Sequence, residues 1–313
     1  MFTKSSSSFH TINSDFQLSA VDKLLYFIFN TINFFWDFKH PKGSVSIEKF
    51  VFRKAKDQTF EDVGGTSVTR FLCNSFWNSI DYNYLKKTLG SELRVVDVGC
   101  GSGNYSNILK LTKIDTYLGV DIFPSPMWQQ IEKSNVAFQV SSYLNVEKYL
   151  ADRNLLITQS AIEHFEEDLS FFQGVQQFVQ KSGQPLIQIH LFPAKAGLWT
   201  GLLHGIRQYN LRMICKILQV SKIEKPGLLI LLGGKNSNRF HWNTVTKNLV
   251  LHRYNKVFTF ANGYSNGLIK SIENDTLENN PRKTTFFALV LQHNVTTQLR
   301  YEGIINKTSD NRD

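Results

Sequence analysis

The chain has 313 residues, of which 42% are hydrophobic and 19% charged, as expected of a globular protein with a sizeable core. Its net charge is +9. The three cysteines (Cys73, Cys100, Cys215) are far apart, which disfavours a disulfide framework and a Cys-x-x-Cys zinc site and fits a reducing compartment. We expect a cytoplasmic protein, because the first residues lack the basic and apolar runs of a secretory leader.

The first 90 residues precede the regular part of the pattern. Residues 1–18 are polar and serine-rich, and we expect them to be loosely ordered. Residues 19–90 are predicted to be a helical extension, with helices at about 19–38 and 66–77. The first helix is mostly apolar, which favours burial against the main domain. The alternative is that it lies on a membrane surface or covers the functional site.

Residues 91–313 alternate apolar strand-like runs with helical ones. This alternation predicts an α/β fold, a doubly wound and mostly parallel sheet with helices on both faces. The predicted strands are 94–98, 116–120, 136–140, 154–158, 185–192 and 284–292, with a weaker one at 257–260.

A glycine-rich turn follows the first of these strands, with Gly99, Gly101 and Gly103 after Asp97 and before Asn104. Glycines let the backbone turn sharply and let a ligand approach it closely. A carboxylate at this turn would repel a pyrophosphate but attract an ammonium and a sulfonium. The Gly-x-Gly-x-Gly spacing also differs from the dinucleotide fingerprint, which makes a nicotinamide-dependent oxidoreductase the weaker alternative.

Two further strand ends carry polar residues. The second strand ends at Asp121-Ile122, and the fourth runs into Gln159-Ser160-Ala-Ile-Glu163-His164. With the glycine turn, these stretches resemble the class I S-adenosylmethionine-dependent methyltransferases. The resemblance implies a Rossmann-like sheet whose last two strands are antiparallel.

The resemblance also assigns the cofactor residues. It implies that S-adenosylmethionine binds along the glycine turn and the two other strand ends, and that a serine or a backbone group replaces the usual acid beside the adenine. The implied cofactor residues are Asp97, Gly99, Gly101, Gly103, Asn104, Asp121, Ile122, Ser142, Gln159 and Ser160.

Nearly all of the basic excess lies between Pro193 and Lys256. This segment holds eleven Lys or Arg and one acid, so its net charge is +10 against +9 for the whole chain. We expect it to be a basic insertion after the fifth strand that covers the acceptor. Fixed cations would suit an anionic, sugar-like acceptor, and they would also suit an anionic membrane surface. The predicted acceptor-binding residues are Arg70, His190, Arg207, Tyr209, Arg239 and His241.

Transfer of a methyl group to a hydroxyl needs a general base, and His164 and His204 are the candidates. Glu163 would orient His164, which could equally serve only to position the cofactor. We expect no metal site. The favoured function is O-methylation of a small anionic or carbohydrate-like acceptor. The basic segment also bears a weaker resemblance to inserts in methyltransferases of bacterial surface-polysaccharide pathways. The alternatives are a non-catalytic cofactor-binding module, a lipid- or quinone-like acceptor, RNA without a recognisable binding module, and a merely solvated basic face.

Overall fold

The computed structural model describes residues 5–35, 45–52, 66–90, 92–103, 114–201, 203–251 and 263–301. Two predictions lie outside these ranges. One is the weak strand at 257–260, and the other is Asn104 as a cofactor-binding residue.

The described residues contain an eight-stranded sheet in the order β1-β7-β8-β6-β5-β2-β3-β4. Strand β8 runs antiparallel to β6 and β7, and the other pairs are parallel. The predicted Rossmann-like fold, mostly parallel with an antiparallel late strand, is confirmed. The strands are β1 Val45–Lys49, β2 Arg94–Val98, β3 Thr116–Asp121, β4 Val136–Val140, β5 Leu155–Gln159, β6 Leu186–Pro193, β7 Gly227–Leu232 and β8 Phe286–His293.

Helices cover both faces of the sheet. Short 3-10 turns lie at Ile162–His164 and Lys195–Gly197, and a π-helical turn lies at Trp242–Thr246. The α-helices are α1 Ala20–Phe35, α2 Val68–Ser79, α3 Tyr82–Leu89, α4 Trp128–Ile131, α5 Val146–Leu150, α6 Asp168–Ser182, α7 Leu198–Gly201, α8 Leu211–Ser221, α9 Lys235–His241, α10 Lys247–Val250 and α11 Gly263–Asn274.

The apolar runs form strands because both sides of the sheet are buried. Val95 packs on the face covered by α2, α3 and α11, whereas its neighbour Val96 packs on the face covered by α5, α6 and α8. Successive side chains of a strand point to opposite faces, so a strand between two helical layers needs apolar residues throughout. The resulting three layers bring the carboxyl ends of the parallel strands to one edge.

The segment predicted as one basic insertion, 193–256, is divided among several elements. Its run Gly227–Leu232 is strand β7, which pairs with β8 inside the sheet. Among the described residues, the antiparallel partner expected beside the last strand is therefore the run 227–232. The extension expected to be helical also contributes a strand, because Val45–Lys49 pairs with β7 at the sheet edge.

The N-terminal segment is packed against the domain, contrary to the expectation that residues 1–18 are loosely ordered. Ser6, Ser7, Ser8 and His10 are all buried. The amide of Ser7 donates a hydrogen bond of 2.7 Å to the Asp168 carboxylate, and the Ser7 hydroxyl donates to the same group. The serines that suggested disorder are the donors that satisfy a buried acid.

Arg207 and Tyr209 belong to this same buried network, which corrects their predicted role as acceptor-binding residues. Both are fully buried. The Arg207 guanidinium lies 3.2 Å from Asp168 Oδ2 and donates to the carbonyl of Phe165 at 2.7 Å. The Tyr209 hydroxyl donates to Asp168 Oδ2 at 2.8 Å. Their polar groups are used within the protein.

Helix α1 turns its polar side inwards. Tyr26, Asn30 and Asn33 are buried, whereas Val21 and Leu24 are 65% and 61% exposed. The predicted burial of the apolar side is therefore wrong. The reason is that loop 204–210 hydrogen-bonds this side of the helix. Tyr26 and Asn30 donate to the carbonyls of His204 and Ile206, and the Asn210 side chain donates to the main-chain carbonyl of Asn33. In the part of the chain that the structure describes, no helix has the length and apolar character of a membrane span.

The buried ion pair generates a test. Replacing Arg207 with Met leaves the Asp168 carboxylate buried without its cation, so we expect the free energy of unfolding to fall by about 3–5 kcal/mol. Urea denaturation measures this. Arg239→Met, at an exposed site, is the control and should change it by less than about 0.5 kcal/mol. Equal, small effects of both substitutions would contradict the buried-pair account.

Candidate active site

A cavity of about 300 Å³ opens where β2, β3 and β5 reach their carboxyl ends. This is the edge at which open α/β sheets bind ligands. The residues that line it are Val98, Gly99, Gly101, Val120, Asp121, Ile122, Phe123, Ser141, Tyr143, Ser160, Ala161, His164 and Phe165.

The glycine turn forms one wall of the cavity. Gly99 has φ of 78°, and a Cβ atom built on it would lie 2.5 Å from the Cβ of Ala161. Only glycine tolerates both this conformation and this approach. Gly101 also lines the cavity, whereas Gly103 faces the ring of Phe138 and not the cavity.

Asp121 lies at the tip of β3, as predicted, and its carboxylate borders the cavity. It accepts hydrogen bonds from the amides of Gly101 at 2.8 Å and Phe123 at 3.2 Å. These bonds fix the carboxylate between the two turns. Ile122 and Phe123 follow it and are 53% and 70% exposed. Their apolar side chains flank the mouth of the cavity.

Asp97 lies beneath the glycine turn and does not line the cavity, so its predicted direct contact with the cofactor is corrected. It is 2% exposed and accepts a 2.7 Å hydrogen bond from the Tyr117 hydroxyl. Burial raises the pKa of Asp97 to about 7, and the nearby Asp121 carboxylate adds to the rise, while the Tyr117 hydrogen bond opposes it. In this structure Asp97 braces the strand ends.

The predicted stretch after the fourth strand, which begins at Gln159-Ser160, both lines and supports the cavity. Ser160 lines the cavity with φ of 48°, in the left-handed region. Gln159 is buried and accepts a 2.6 Å hydrogen bond from the indole of Trp77, which ties α2 to the end of β5. After β4 it is Ser141, not the predicted Ser142, that reaches the cavity.

Sequence reasoning missed the aromatic wall. Tyr143 and Phe165 both line the cavity, and their rings stack with centroids 4.1 Å apart and planes within 2°. The hydroxyl of Tyr143 accepts a hydrogen bond from the Glu167 amide at 3.1 Å, which holds the ring in place. The only signal in the sequence was that each residue comes just after a predicted strand end.

Beside the cavity, two predicted histidines meet a buried acid. His204 Nε2 lies 3.3 Å and His164 Nε2 3.9 Å from Oε1 of Glu163, which is 0% exposed. His164 also contacts Asp15, with 2.5 Å between its Nδ1 and a carboxylate oxygen. The pKa of His204 is raised by its interaction with the Glu163 carboxylate, against the effect of burial. We call Glu163, His164, His204 and Asp15 the acid–histidine cluster.

The other predicted acceptor residues do not join this cluster. His190 is fully buried in β6 between Thr158 and Gln188, and burial lowers its pKa to about 3. His241 is buried too, with its pKa lowered to about 4 by burial. Both are structural residues here, which corrects their assignment. Arg70 and Arg239 are exposed on α2 and α9 and do not line the cavity.

The basic residues of segment 193–256 are dispersed. Lys195 and Arg207 are buried, and Lys222 and Lys225 lie just before β7. Because β7 is parallel to β6, that position is at the sheet edge opposite the cavity. Among the described residues, no Lys or Arg lines the cavity. The described residues therefore show no cationic cover at this cavity, and Arg253 and Lys256 of the segment lie outside the described ranges.

No protein-family model matches the chain, and no curated protein matches its sequence. Solved structures with some likeness include a SAM dependent methyltransferase from Archaeoglobus fulgidus, with 14% identity and a TM-score of 0.43 over 75% of this chain and 98% of that one. A putative sarcosine dimethylglycine methyltransferase from Galdieria sulphuraria has 12% identity and a TM-score of 0.40 over 71% and 83%. The [4+2]-cyclase SpnF has 12% and 0.41 over 87% and 93%. Likeness this distant carries no argument about activity.

The raised pKa of Asp97 predicts a pH-dependent stability. Between about pH 4 and 7 the native state holds a proton that the unfolded state releases, so the free energy of unfolding falls as pH rises through this window. Asp97→Asn removes the buried charge and keeps an acceptor for Tyr117. We expect it to stabilise the protein by about 4 kcal/mol at pH 8, from a rise of about three pKa units, and by nothing below pH 4.

Asp115→Asn is the matched control, with the opposite sign. Although its slight burial raises the pKa of Asp115, hydrogen bonds from Lys86 and the Leu93 amide hold the pKa below its usual range. Its contribution to stability is present at neutral pH and lost in acid, so Asp115→Asn should destabilise the protein only at the higher pH values. Urea denaturation from pH 4 to 8 measures both variants. A parallel loss of stability in both at pH 8 would contradict the assignment of Asp97.

Proposed function

We propose that the chain is an S-adenosylmethionine-dependent methyltransferase that acts on an oxygen of a neutral, hydroxyl-bearing, sugar-like acceptor. The observation that carries the proposal is the position of one carboxylate, Asp121, between the glycine turn and the mouth of the cavity. A carboxylate at the tip of this strand can accept hydrogen bonds from the vicinal hydroxyls of a ribose.

The residues around the cavity fit this cofactor. Gly99 and Gly101 present backbone without side chains, and Ile122 and Phe123 offer apolar surface for an adenine ring. The lining residues include an acid and, within the described ranges, no Lys or Arg. This polarity suits a positively charged sulfonium and disfavours a pyrophosphate, so it supports the methyl donor over a nicotinamide dinucleotide.

The acid–histidine cluster supplies the acceptor side. When bound, S-adenosylmethionine supplies a methyl group as a sulfonium electrophile. The protein has to hold the acceptor oxygen in line with that group. Of the cluster, His164 lines the cavity. As the oxygen–methyl bond forms, the methyl–sulfur bond breaks and S-adenosylhomocysteine is the leaving group. When the imidazoles of the cluster hold no ion, one of them can accept the hydroxyl proton, and the Glu163 carboxylate stabilises the resulting cation.

The acceptor is inferred to be neutral for an electrostatic reason. Two carboxylates, Glu163 and Asp15, lie next to the histidines, and the described Lys and Arg residues do not line the cavity. Within the described ranges, an anionic acceptor would therefore meet no Lys or Arg there. Hydroxyl groups, by contrast, can hydrogen-bond both imidazole and carboxylate groups.

Asp121→Asn tests the cofactor site. It removes the negative charge and half of the acceptor capacity, so we expect S-adenosylhomocysteine to bind about 10- to 100-fold more weakly in calorimetry. Glu132→Gln, exposed and away from the cavity lining, is the control and should bind normally. Equal affinity of the two variants would contradict the site, as would tight binding of NAD with no binding of S-adenosylhomocysteine.

If the cofactor binds but no acceptor from a broad panel of hydroxyl compounds is methylated, the chain is a binding module.

We also propose that α1 lies on an anionic membrane surface. Its outward side exposes a continuous apolar row at helical spacing, Val21, Leu24, Ile28, Ile32 and Phe35. A surface helix binds lipid through such a row, and the net charge of +9 adds attraction to anionic headgroups.

Flotation with vesicles of phosphatidylglycerol and phosphatidylcholine tests this. The double variant Leu24→Asn, Ile28→Asn should lose most of its binding, because it removes exposed apolar surface without touching the buried side of α1. Leu277→Asn, at a position that is 91% exposed elsewhere, should float like the unmodified protein. If the unmodified protein does not float, or if the double variant changes only the oligomeric state in light scattering, α1 does not contact membrane.

A further inference from the structure

The most unusual group beside the cavity is the Glu163 side chain. It is 0% exposed, and neither of its carboxylate oxygens accepts a hydrogen bond from any residue within the described ranges. A buried carboxylate that two imidazoles approach without a well-formed hydrogen bond is costly, and native proteins rarely leave one unsatisfied. The two imidazoles lie 3.3 Å and 3.9 Å from the Oε1 atom of this carboxylate, so a ligand bound by all three side chains would satisfy it.

The nitrogens of these imidazoles are placed as ligands would be. The ligand atoms of Glu163, His164 and His204 all lie within 4.8 Å of one another. Around a tetrahedral Zn²⁺ with bonds of about 2.0–2.1 Å, the ligand atoms are roughly 3.4 Å apart. The separations from Glu163 Oε1, 3.3 Å to His204 Nε2 and 3.9 Å to His164 Nε2, are close to that value.

Asp15 completes the pattern expected around a metal-binding histidine. Its carboxylate contacts Nδ1 of His164, while Nε2 of the same ring faces Glu163. Metal-ligating histidines usually donate their second nitrogen to a carboxylate, which fixes the ring and its tautomer. Asp15 is therefore placed as the residue that orients His164.

The backbone holds the three ligands together. The amide of Ile206 donates to the carbonyl of Glu163 at 2.9 Å, and Ser14 donates from its amide to the carbonyl of Gly205 at 3.0 Å. A Cβ atom on Gly205 would lie 2.9 Å from the Glu163 carbonyl, so the loop carrying His204 can approach only because this residue is glycine. The N-terminal segment thus fastens the His204 loop against the Ile162–His164 turn.

We propose that Glu163, His164 and His204 bind a divalent transition-metal ion, with Asp15 orienting His164. Two imidazoles and one carboxylate suit Zn²⁺, Co²⁺ or Fe²⁺ and do not suit Mg²⁺ or Ca²⁺, which prefer oxygen ligands alone. Three protein ligands leave coordination positions open, as in catalytic zinc sites.

A role for the ion in catalysis rests on the proposed function, whereas its binding does not. His164 lines the cavity, so an open coordination position is within reach of an acceptor hydroxyl. A hydroxyl bound to the ion becomes more acidic and can lose its proton to water before it attacks the methyl group. With the ion bound, the imidazole nitrogens are ligands and no longer accept that proton.

The test is titration of the full chain, stripped with a chelator, with Zn²⁺ in calorimetry and with Co²⁺ followed by its visible absorption. We expect one ion per chain and a Co²⁺ spectrum of low coordination number with nitrogen ligands. Glu163→Gln and His204→Gln should each weaken binding by about 100-fold or more, and Asp15→Asn by about 10-fold. Glu132→Gln should bind as the unmodified protein does.

Circular dichroism and S-adenosylhomocysteine affinity, measured on the same samples, separate the two proposals. Stoichiometric binding that Glu163→Gln and His204→Gln abolish, in folded protein, supports the metal site. Absence of one-to-one binding, or unchanged affinity in both folded variants, overturns it. If the unmodified protein binds the ion but does not bind S-adenosylhomocysteine, the proposed function is overturned and the metal site is not. If Glu163→Gln fails to fold, the His204→Gln and Asp15→Asn variants still test the site, because His204 is partly exposed and Asp15 lies at the surface.

Discussion

The site depends on the close approach of two turns that leave neighbouring strands. Gly99 follows β2 and Ala161 follows β5, and a single additional methyl group on the glycine would collide with the alanine. Because the two strands are parallel neighbours, both turns emerge at the same edge and have to pass each other. Their contact sets the cavity between them and directs the following turn, Ile162–His164, so that His164 reaches the cavity.

A second constraint comes from a buried acid, Asp168, at the start of α6. It is 0% exposed and is satisfied by Arg207, by Tyr209 and by the N-terminal segment at Ser7. A lone buried charge is costly, but a carboxylate with several donors and a cation can be accommodated. This network fastens the chain's first described residues to the loop that carries His204. The same loop then brings His204 to Glu163, so the acid–histidine cluster depends on packing behind it.

The sequence predicted the central sheet well because the signal there is local. A strand covered on both faces has to be mostly apolar along its length, and the runs at β2, β3, β5 and β6 have this pattern. Strand β7 was missed since Gly227–Leu232 lies in a long basic segment, and a short apolar run alone does not distinguish a strand from a buried helix.

The burial of Arg207 could not be predicted either, because it depends on Asp168, a partner that is distant in sequence. For α1 the pattern identified the two sides correctly, but only the polar groups of loop 204–210 determine which side faces inwards.

In the candidate site, the residues that the sequence located are those whose role is set by the strand ends: Gly99, Gly101, Asp121, Ile122, Ser160 and His164 line the cavity. Asp97 and Gln159, which the sequence predicted to bind the cofactor, lie beneath the residues that line the cavity and support them. His164, His204 and Glu163 were predicted as candidate bases and an orienting acid but not as a metal site, because a loop brings His204 to the other two without the short spacing of a metal-binding motif. Three-dimensional packing, and not the local pattern, creates that cluster.

A crystal structure of the chain with S-adenosylhomocysteine tests the central claim most directly. We predict that the adenosine lies in the cavity with both ribose hydroxyls within hydrogen-bonding distance of the Asp121 carboxylate and the sulfur on the side of Ser160 and His164. Density for the ligand at any other place, or a cavity that is filled by protein side chains at saturating ligand, would contradict the account.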